Sequence, residues 1–96
     1  MRSIFRPTGE QWKNAPEAAL NAAADLAQRV KIEVNTIKLV SAQQVDWSDA
    51  CLGIQQPDVM CAQVITPGYK VILEANGQQY EYHTNKSGSA VRLVGG

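Results

Sequence analysis

Residues 69–84 read YKVILEANGQQYEYHT, from Tyr69 to Thr84. Two runs of alternating character flank Asn76-Gly77, the dipeptide that a two-residue type I′ hairpin demands because both central residues need positive φ. The turn dictates the register. Ala75 opposes Gln78, Leu73 opposes Tyr80, Val71 opposes Tyr82 and Tyr69 opposes Thr84. These residues share one face, apolar and aromatic, whereas Lys70, Ile72, Glu74, Gln79, Glu81 and His83 share the other, which is mostly polar. One face buried and one wet is the pattern of an antiparallel sheet.

Working outward, Asn85-Lys86-Ser87-Gly88 is a second turn signal, and Val91 and Leu93 alternate in a last strand over 89–94. Upstream, Ile37, Leu39, Val45 and Trp47 place a long strand over 36–47 with a bulge near 41–43. A short strand is expected over 61–66, ended by Pro67-Gly68 as a type II turn. The clearest helix covers 16–30. Asn14 suits its N-cap, Pro16 its first turn, and Arg29 and Lys31 its C-terminal end. Ala19, Leu20, Ala23, Leu26, Ala27 and Val30 form its buried side, with Glu17, Asn21, Asp25 and Gln28 opposite. Residues 31–35 connect helix to strand, with Ile32 and Val34 folded inward. Ahead of the helix, Thr8 and Gln11 stand at capping-box spacing for one short helical turn, and Phe5 and Trp12 are positioned to fold back. The expected organisation is a lead-in over 1–14 and one α+β domain over 15–94: one N-terminal helix packed on a four-stranded antiparallel meander sheet.

Composition fits this and narrows function. The chain has 96 residues and a mass of 10.5 kDa, with 9 Lys and Arg against 9 Asp and Glu, a net charge of zero and 45% hydrophobic residues. That is one domain. A neutral chain offers no electrostatic footprint for nucleic acid or an anionic membrane. No apolar run reaches the ~18 residues of a membrane span. No apolar stretch follows Met1-Arg2-Ser3-Ile4-Phe5-Arg6-Pro7, so a signal peptide is not expected. The chain as it stands reads as cytoplasmic, with an exported mature domain as the alternative.

The candidate working surface is the loop 48–60. Ser48, Asp49, Gly53, Pro57 and Asp58 are turn formers, yet Trp47, Leu52, Ile54, Val59 and Met60 add a surplus of large apolar side chains. Such a loop can present Leu52, Ile54, Gln55, Gln56, Asp58 and Met60 to a protein groove, and constraining it lowers the entropic cost of binding. For Trp47 and Leu52 the favoured place is a satellite core beneath the loop, with Ile54, Gln55, Gln56 and Asp58 exposed. Cys51 and Cys61, the only cysteines, bracket the loop. Their spacing suits neither a redox CxxC nor zinc, which leaves a loop-closing disulfide or two reduced thiols. The single histidine, His83, reads as a solvated strand residue, and a Cys61–His83 dyad lacks any supporting motif. Asp46, Asp49 and Asp58 match no calcium pattern. No cofactor and no metal are expected.

The expected function is a small non-enzymatic protein-binding module presenting loop 48–60, inhibitory if the partner is a peptidase. The alternative is a structural or assembly domain, a homodimer through an edge strand or the helix face. A small hydrolase using His83 with Asp58 or Cys61 is the weakest reading. The expected partner is a protein, with no nucleic acid and no membrane span, and the chain is a monomer or weak homodimer.

The stretch 45–85, VDWSDACLGIQQPDVMCAQVITPGYKVILEANGQQYEYHTN, followed by Val91-Arg92-Leu93, resembles a small uncharacterised bacterial domain, with cyanobacteria and Chloroflexi among its sources. The resemblance rests on Trp47, Asp49 and Leu52-Gly53, then Pro67-Gly68-Tyr69, then Tyr80-Glu81-Tyr82-His83-Thr84, and on Asp25-Leu26-Ala27-Gln28-Arg29 upstream. It covers residues 18–94. Many such proteins look secreted, which implies a Cys51–Cys61 disulfide here; no activity is implied. The chain departs from that pattern at Lys31, where a helix-ending glycine is usual. Its expected shape is similar to cystatin-like folds, an analogy of architecture alone.

Overall fold

The computed structural model describes residues 6–54 and 58–95. A 3-10 turn (Glu10–Trp12) precedes helix α1 (Glu17–Val30), and a second 3-10 turn (Val34–Thr36) leads to β1 (Lys38–Trp47), β2 (Thr66–Ala75), β3 (Gln78–Asn85) and β4 (Val91–Leu93). The strands form one sheet in the order β1-β2-β3-β4, every neighbouring pair antiparallel. The fold is thus α+β, a helix against a four-stranded meander.

The β2–β3 hairpin has the expected register. Asn76 (φ 54°) and Gly77 (φ 75°) both adopt positive φ, and the pairs run from Ala75–Gln78 to Tyr69–Thr84. Val71, Leu73, Ala75 and Tyr82 from its apolar face are buried together with Ala19, Ala22, Ala23, Leu26 and Ala27 of α1, and Ile37 and Val34 close the cluster. Small alanine side chains let the helix lie close to the sheet. Burying Leu26, Ile37, Val71 and Leu73 contributes about 1.5–3 kcal/mol each.

Several local expectations are corrected. Asn14 does not cap α1. The residue before a proline is disfavoured from the helical region, so Ala15 cannot serve as a first helical residue. Pro16 itself is the N-cap, extended at φ −67° and ψ 155°, and its carbonyl accepts from Ala19 N–H. Asn21 and Asp25 are not on a solvated side. Asn21 Nδ2 donates to Gly88 O at 3.0 Å, and Asp25 Oδ2 accepts from the Tyr82 hydroxyl and from Arg29 Nε, both at 2.6 Å. Burial, and then the hydrogen bond to Asp25, push the Tyr82 hydroxyl above the ordinary tyrosine range. At the other end Lys31 takes the left-handed conformation (φ 58°, ψ 51°), and Ile32 N–H closes onto Ala27 O at 3.1 Å. This is a Schellman-type stop made without glycine, at a cost of roughly 1–2 kcal/mol.

The strands also differ from expectation. Thr36 belongs to the second 3-10 turn, and the bulge of β1 falls between Leu39 and Ser41, at Val40. Residues 61–65 form no strand. β2 starts at Thr66 and runs straight through Pro67-Gly68, which pair with Asp46 and Val45. Proline is tolerated there because the β3 ladder has already ended at Gly68–Asn85, leaving Pro67 with no β3 partner. The last strand shortens to Val91–Leu93 because the Asn85 side chain holds the preceding turn, its Oδ1 accepting from Gly88 N–H and Ala90 N–H.

The short turn near Thr8 forms, but Gln11 does not complete a capping box. Its Oε1 accepts from Leu39 N–H at 2.9 Å and its Nε2 donates to Ile37 O at 3.4 Å, so it caps the start of β1. Trp12 folds into the core as expected, its Nε1 buried without a partner among the described residues. Phe5 lies outside the described residues.

Candidate functional site

The loop after β1 has two limbs of different character. The inner limb, 47–54, is locked onto one end of the polar face of the sheet. Trp47 points to that face, its ring stacked on His83 with centroids 4.1 Å apart and planes 25° apart. Its Nε1 donates to Thr84 O at 2.9 Å. The close approach requires Gly68 between them, since a Cβ there would lie 1.8 Å from Thr84 O and 2.8 Å from Trp47 Nε1. Asp49 Oδ1 accepts from Cys51 N–H at 3.0 Å and Gly53 N–H at 3.1 Å, which winds the chain into a tight turn. Leu52 and Gly53 complete it at φ 60° and 75°. A leucine in the left-handed region is strained, and its burial to 1% exposure offsets that strain.

His83 is the second anchor, and its expected solvation is corrected. It is 9% exposed because the inner limb folds over its end of the sheet. Nδ1 contacts Leu52 O at 2.7 Å and Nε2 contacts Glu81 Oε2 at 2.7 Å. A carbonyl oxygen only accepts, so Nδ1 carries a proton toward Leu52. Nδ1 holds the loop, and the Nε2 contact to Glu81 on the same strand fixes the ring in place. Cys61 is bonded to Cys51 with Cα atoms 5.6 Å apart, so no Cys61–His83 dyad forms.

The outer limb, 58–65, is tied to the inner one by that disulfide and by Ala50 N–H donating to Ala62 O at 2.9 Å. It has no regular structure and displays its apolar side chains. Val59 and Val64 are exposed, Ile65 is 69% exposed and Met60 is 97% exposed.

The loop therefore distributes the candidate binding residues unevenly. Met60 and Asp58 are exposed, Ile54 is half-buried, and Leu52 lies inside, where it is no contact for a partner in this conformation. Gln55 and Gln56 lie outside the described residues. The structure adds Val64 and Ile65, which the sequence reading assigned to a strand. The available signal was that an alternating strand over 61–66 would put Val64 and Ile65 on opposite faces with only one of them buried.

Such a site defines a class, an α+β domain with a cysteine-closed apolar loop locked to the open face of its sheet. Among the described residues no three His, Cys, Asp or Glu side chains are gathered to hold a metal ion, and no helix is long and apolar enough to cross a membrane. The chain belongs to the family described as a domain of unknown function, DUF8738, whose model matches residues 19–93. No curated protein and no solved structure matches it.

Proposed function

We propose that the chain is a non-enzymatic protein-binding module that presents the outer limb of its loop to a groove on a protein partner. The observation that carries this reading is the exposure of Val59, Met60, Val64 and Ile65 beside the disulfide, on a loop whose inner half is fixed by Trp47, Asp49 and His83. Exposed aliphatic side chains gain from burial, and anchoring them on a fixed support reduces the ordering cost of association. A peptidase is one candidate partner, and the loop would then act by occluding its substrate cleft. The pattern of Trp47, Asp49, Leu52-Gly53, Pro67-Gly68-Tyr69 and Tyr80–Thr84 marks the family as a bacterial one of cyanobacterial and Chloroflexi type. The test compares the unmodified chain with the double variant Met60→Asp, Ile65→Asp as bait in lysate of the source organism. The unmodified chain should retain one specific protein that the variant loses. Equal retention by both rejects the loop as the contact surface.

A second reading, a structural or assembly domain that pairs with itself, is favoured by the length and exposure of β1 at the sheet edge.

A further inference from the structure

We propose that the outer edge of β1, from Ala42 to Asp46, pairs antiparallel with the same edge of a second copy of the chain, about a two-fold axis at Gln44. This deepens the self-association reading and does not involve the loop.

Ladder phase decides which residues of β1 face away from β2. In an antiparallel pair, residues that exchange hydrogen bonds alternate with residues whose N–H and C=O point away from the partner strand. Three observations fix the phase of β1. The two-residue hairpin closes on Ala75–Gln78, so Leu73, Val71 and Tyr69 direct their backbone groups toward β3, Pro67 keeps the same phase beyond the end of that ladder, and the β1 partners of these four face outward. Those partners are Leu39, Ala42, Gln44 and Asp46. Leu39 N–H does point outward, since it donates to Gln11 Oε1. Asp46 opposes Pro67, which has no N–H to exchange with it. The markers agree across the bulge.

Sheet edges are ordinarily guarded by brevity, charge, proline or a covering group. β4, the opposite edge, has three residues. The start of β1 has the bulge and the side chain of Gln11. From Ala42 to Val45 none of these guards is present among the described residues, and Asp46 brings the only charge. The outward backbone groups of Ala42, Gln44 and Asp46 make no hydrogen bond among the described residues. Residues 41–45, Ser-Ala-Gln-Gln-Val, carry no charge.

The edge is complementary to itself. With Gln44 opposite Gln44 of the second copy, Ala42 opposes Asp46, and every outward-facing residue meets another. The one charged residue faces an alanine, which avoids like charges across the ladder. The two-fold operation closes the assembly at two copies and joins the two sheets into one.

Sedimentation velocity on the full chain across a wide concentration range tests this. The unmodified chain should move from monomer to dimer as concentration rises, and amide exchange at Ala42, Gln44 and Asp46 should slow in parallel. Gln44→Pro removes an outward N–H and leaves the β1–β2 ladder intact. Gln44→Lys sets two cations at the axis without a backbone change. Each should raise the dimer Kd at least about tenfold with unchanged circular dichroism. Met60→Asp should leave the dimer Kd unchanged. A chain that stays monomeric throughout overturns both the edge and the self-association reading. A dimer unaffected by Gln44→Lys, or one weakened by Met60→Asp, overturns the edge and leaves self-association standing. A monomer that instead takes up an extended peptide along β1 overturns the second copy as occupant.

Discussion

Gly68 shows how much one missing side chain can decide. A Cβ there would collide with the Thr84 carbonyl and press on the Trp47 indole, so Gly68→Ala forces β2 away from β3 or ejects Trp47. Thermal unfolding should show a loss of about 3 kcal/mol, the upper range for overpacking. At Gly77 the same substitution meets open space and only a positive φ, and it should cost about 1–2 kcal/mol. Tyr82 offers a pH test. Burial and the Asp25 bond raise its folded value, whereas an unfolded tyrosine releases its proton near pH ~10. As pH rises above that point the unfolded state sheds a proton that the folded state keeps, so stability falls with pH. Denaturant unfolding at pH ~8 and pH ~11 should show a smaller loss for Tyr82→Phe than for the unmodified chain. Equal losses would mean that Tyr82 does not contribute. Neither the Gly68 contact nor the Tyr82–Asp25 bond was readable residue by residue. Asp25 sits at a helical position suited to solvent, and nothing local says that a tyrosine 57 positions later will reach it.

At the scale of elements, the hairpin was fully legible and the loop only in part. Asn76-Gly77 sets a register through local backbone geometry, and no tertiary contact is needed to read it. The covering of His83 depends on the loop folding back over the sheet, and alternation alone assigns His83 to a wet face. Pro67-Gly68 was misread for a related reason. The pair favours a turn in isolation, but Gly68 serves a close approach to Trp47 that appears only once the strands are assembled. The inner limb gives a direct test. Asp49→Ala removes the acceptor for Cys51 N–H and Gly53 N–H, a charged acceptor whose loss should cost about 1.5–3 kcal/mol. Amide exchange should then accelerate at Gly53 first and leave the β2–β3 hairpin protected. Uniform acceleration would show that the turn is not a separable unit. The lead-in gives another. Trp12 is buried and its Nε1 finds no partner among the described residues, so Trp12→Phe should change stability by less than about 1 kcal/mol, while Trp12→Ala should cost about 3–5 kcal/mol.

For the whole molecule, the fold class followed from the order of periodic segments, because a meander needs only neighbouring strands to pair. What the order could not supply is the division of the loop into a fixed half and a displayed half. Reducing the Cys51–Cys61 bond, which spans 10 positions, should lower global stability by about 2–3 kcal/mol in the chain-entropy account, read from denaturant curves with and without a dithiol. Because Asp49 and His83 hold the inner limb independently, the half-buried indole of Trp47 should keep its stack on His83, and its native fluorescence, after reduction. The packing of α1 carries a consequence of another kind. Gly88 lies so near Ala18 that a Cβ would fall 2.9 Å from the Ala18 Cα. Backbone there rests on backbone, with no compressible side chain between. The helix and the turn before β4 behave like two parts machined to a common gauge. A larger residue at position 88 cannot be absorbed by a rotamer change at position 18. It has to move the whole turn, and with it the Asn21–Gly88 bond and the seat of the last strand.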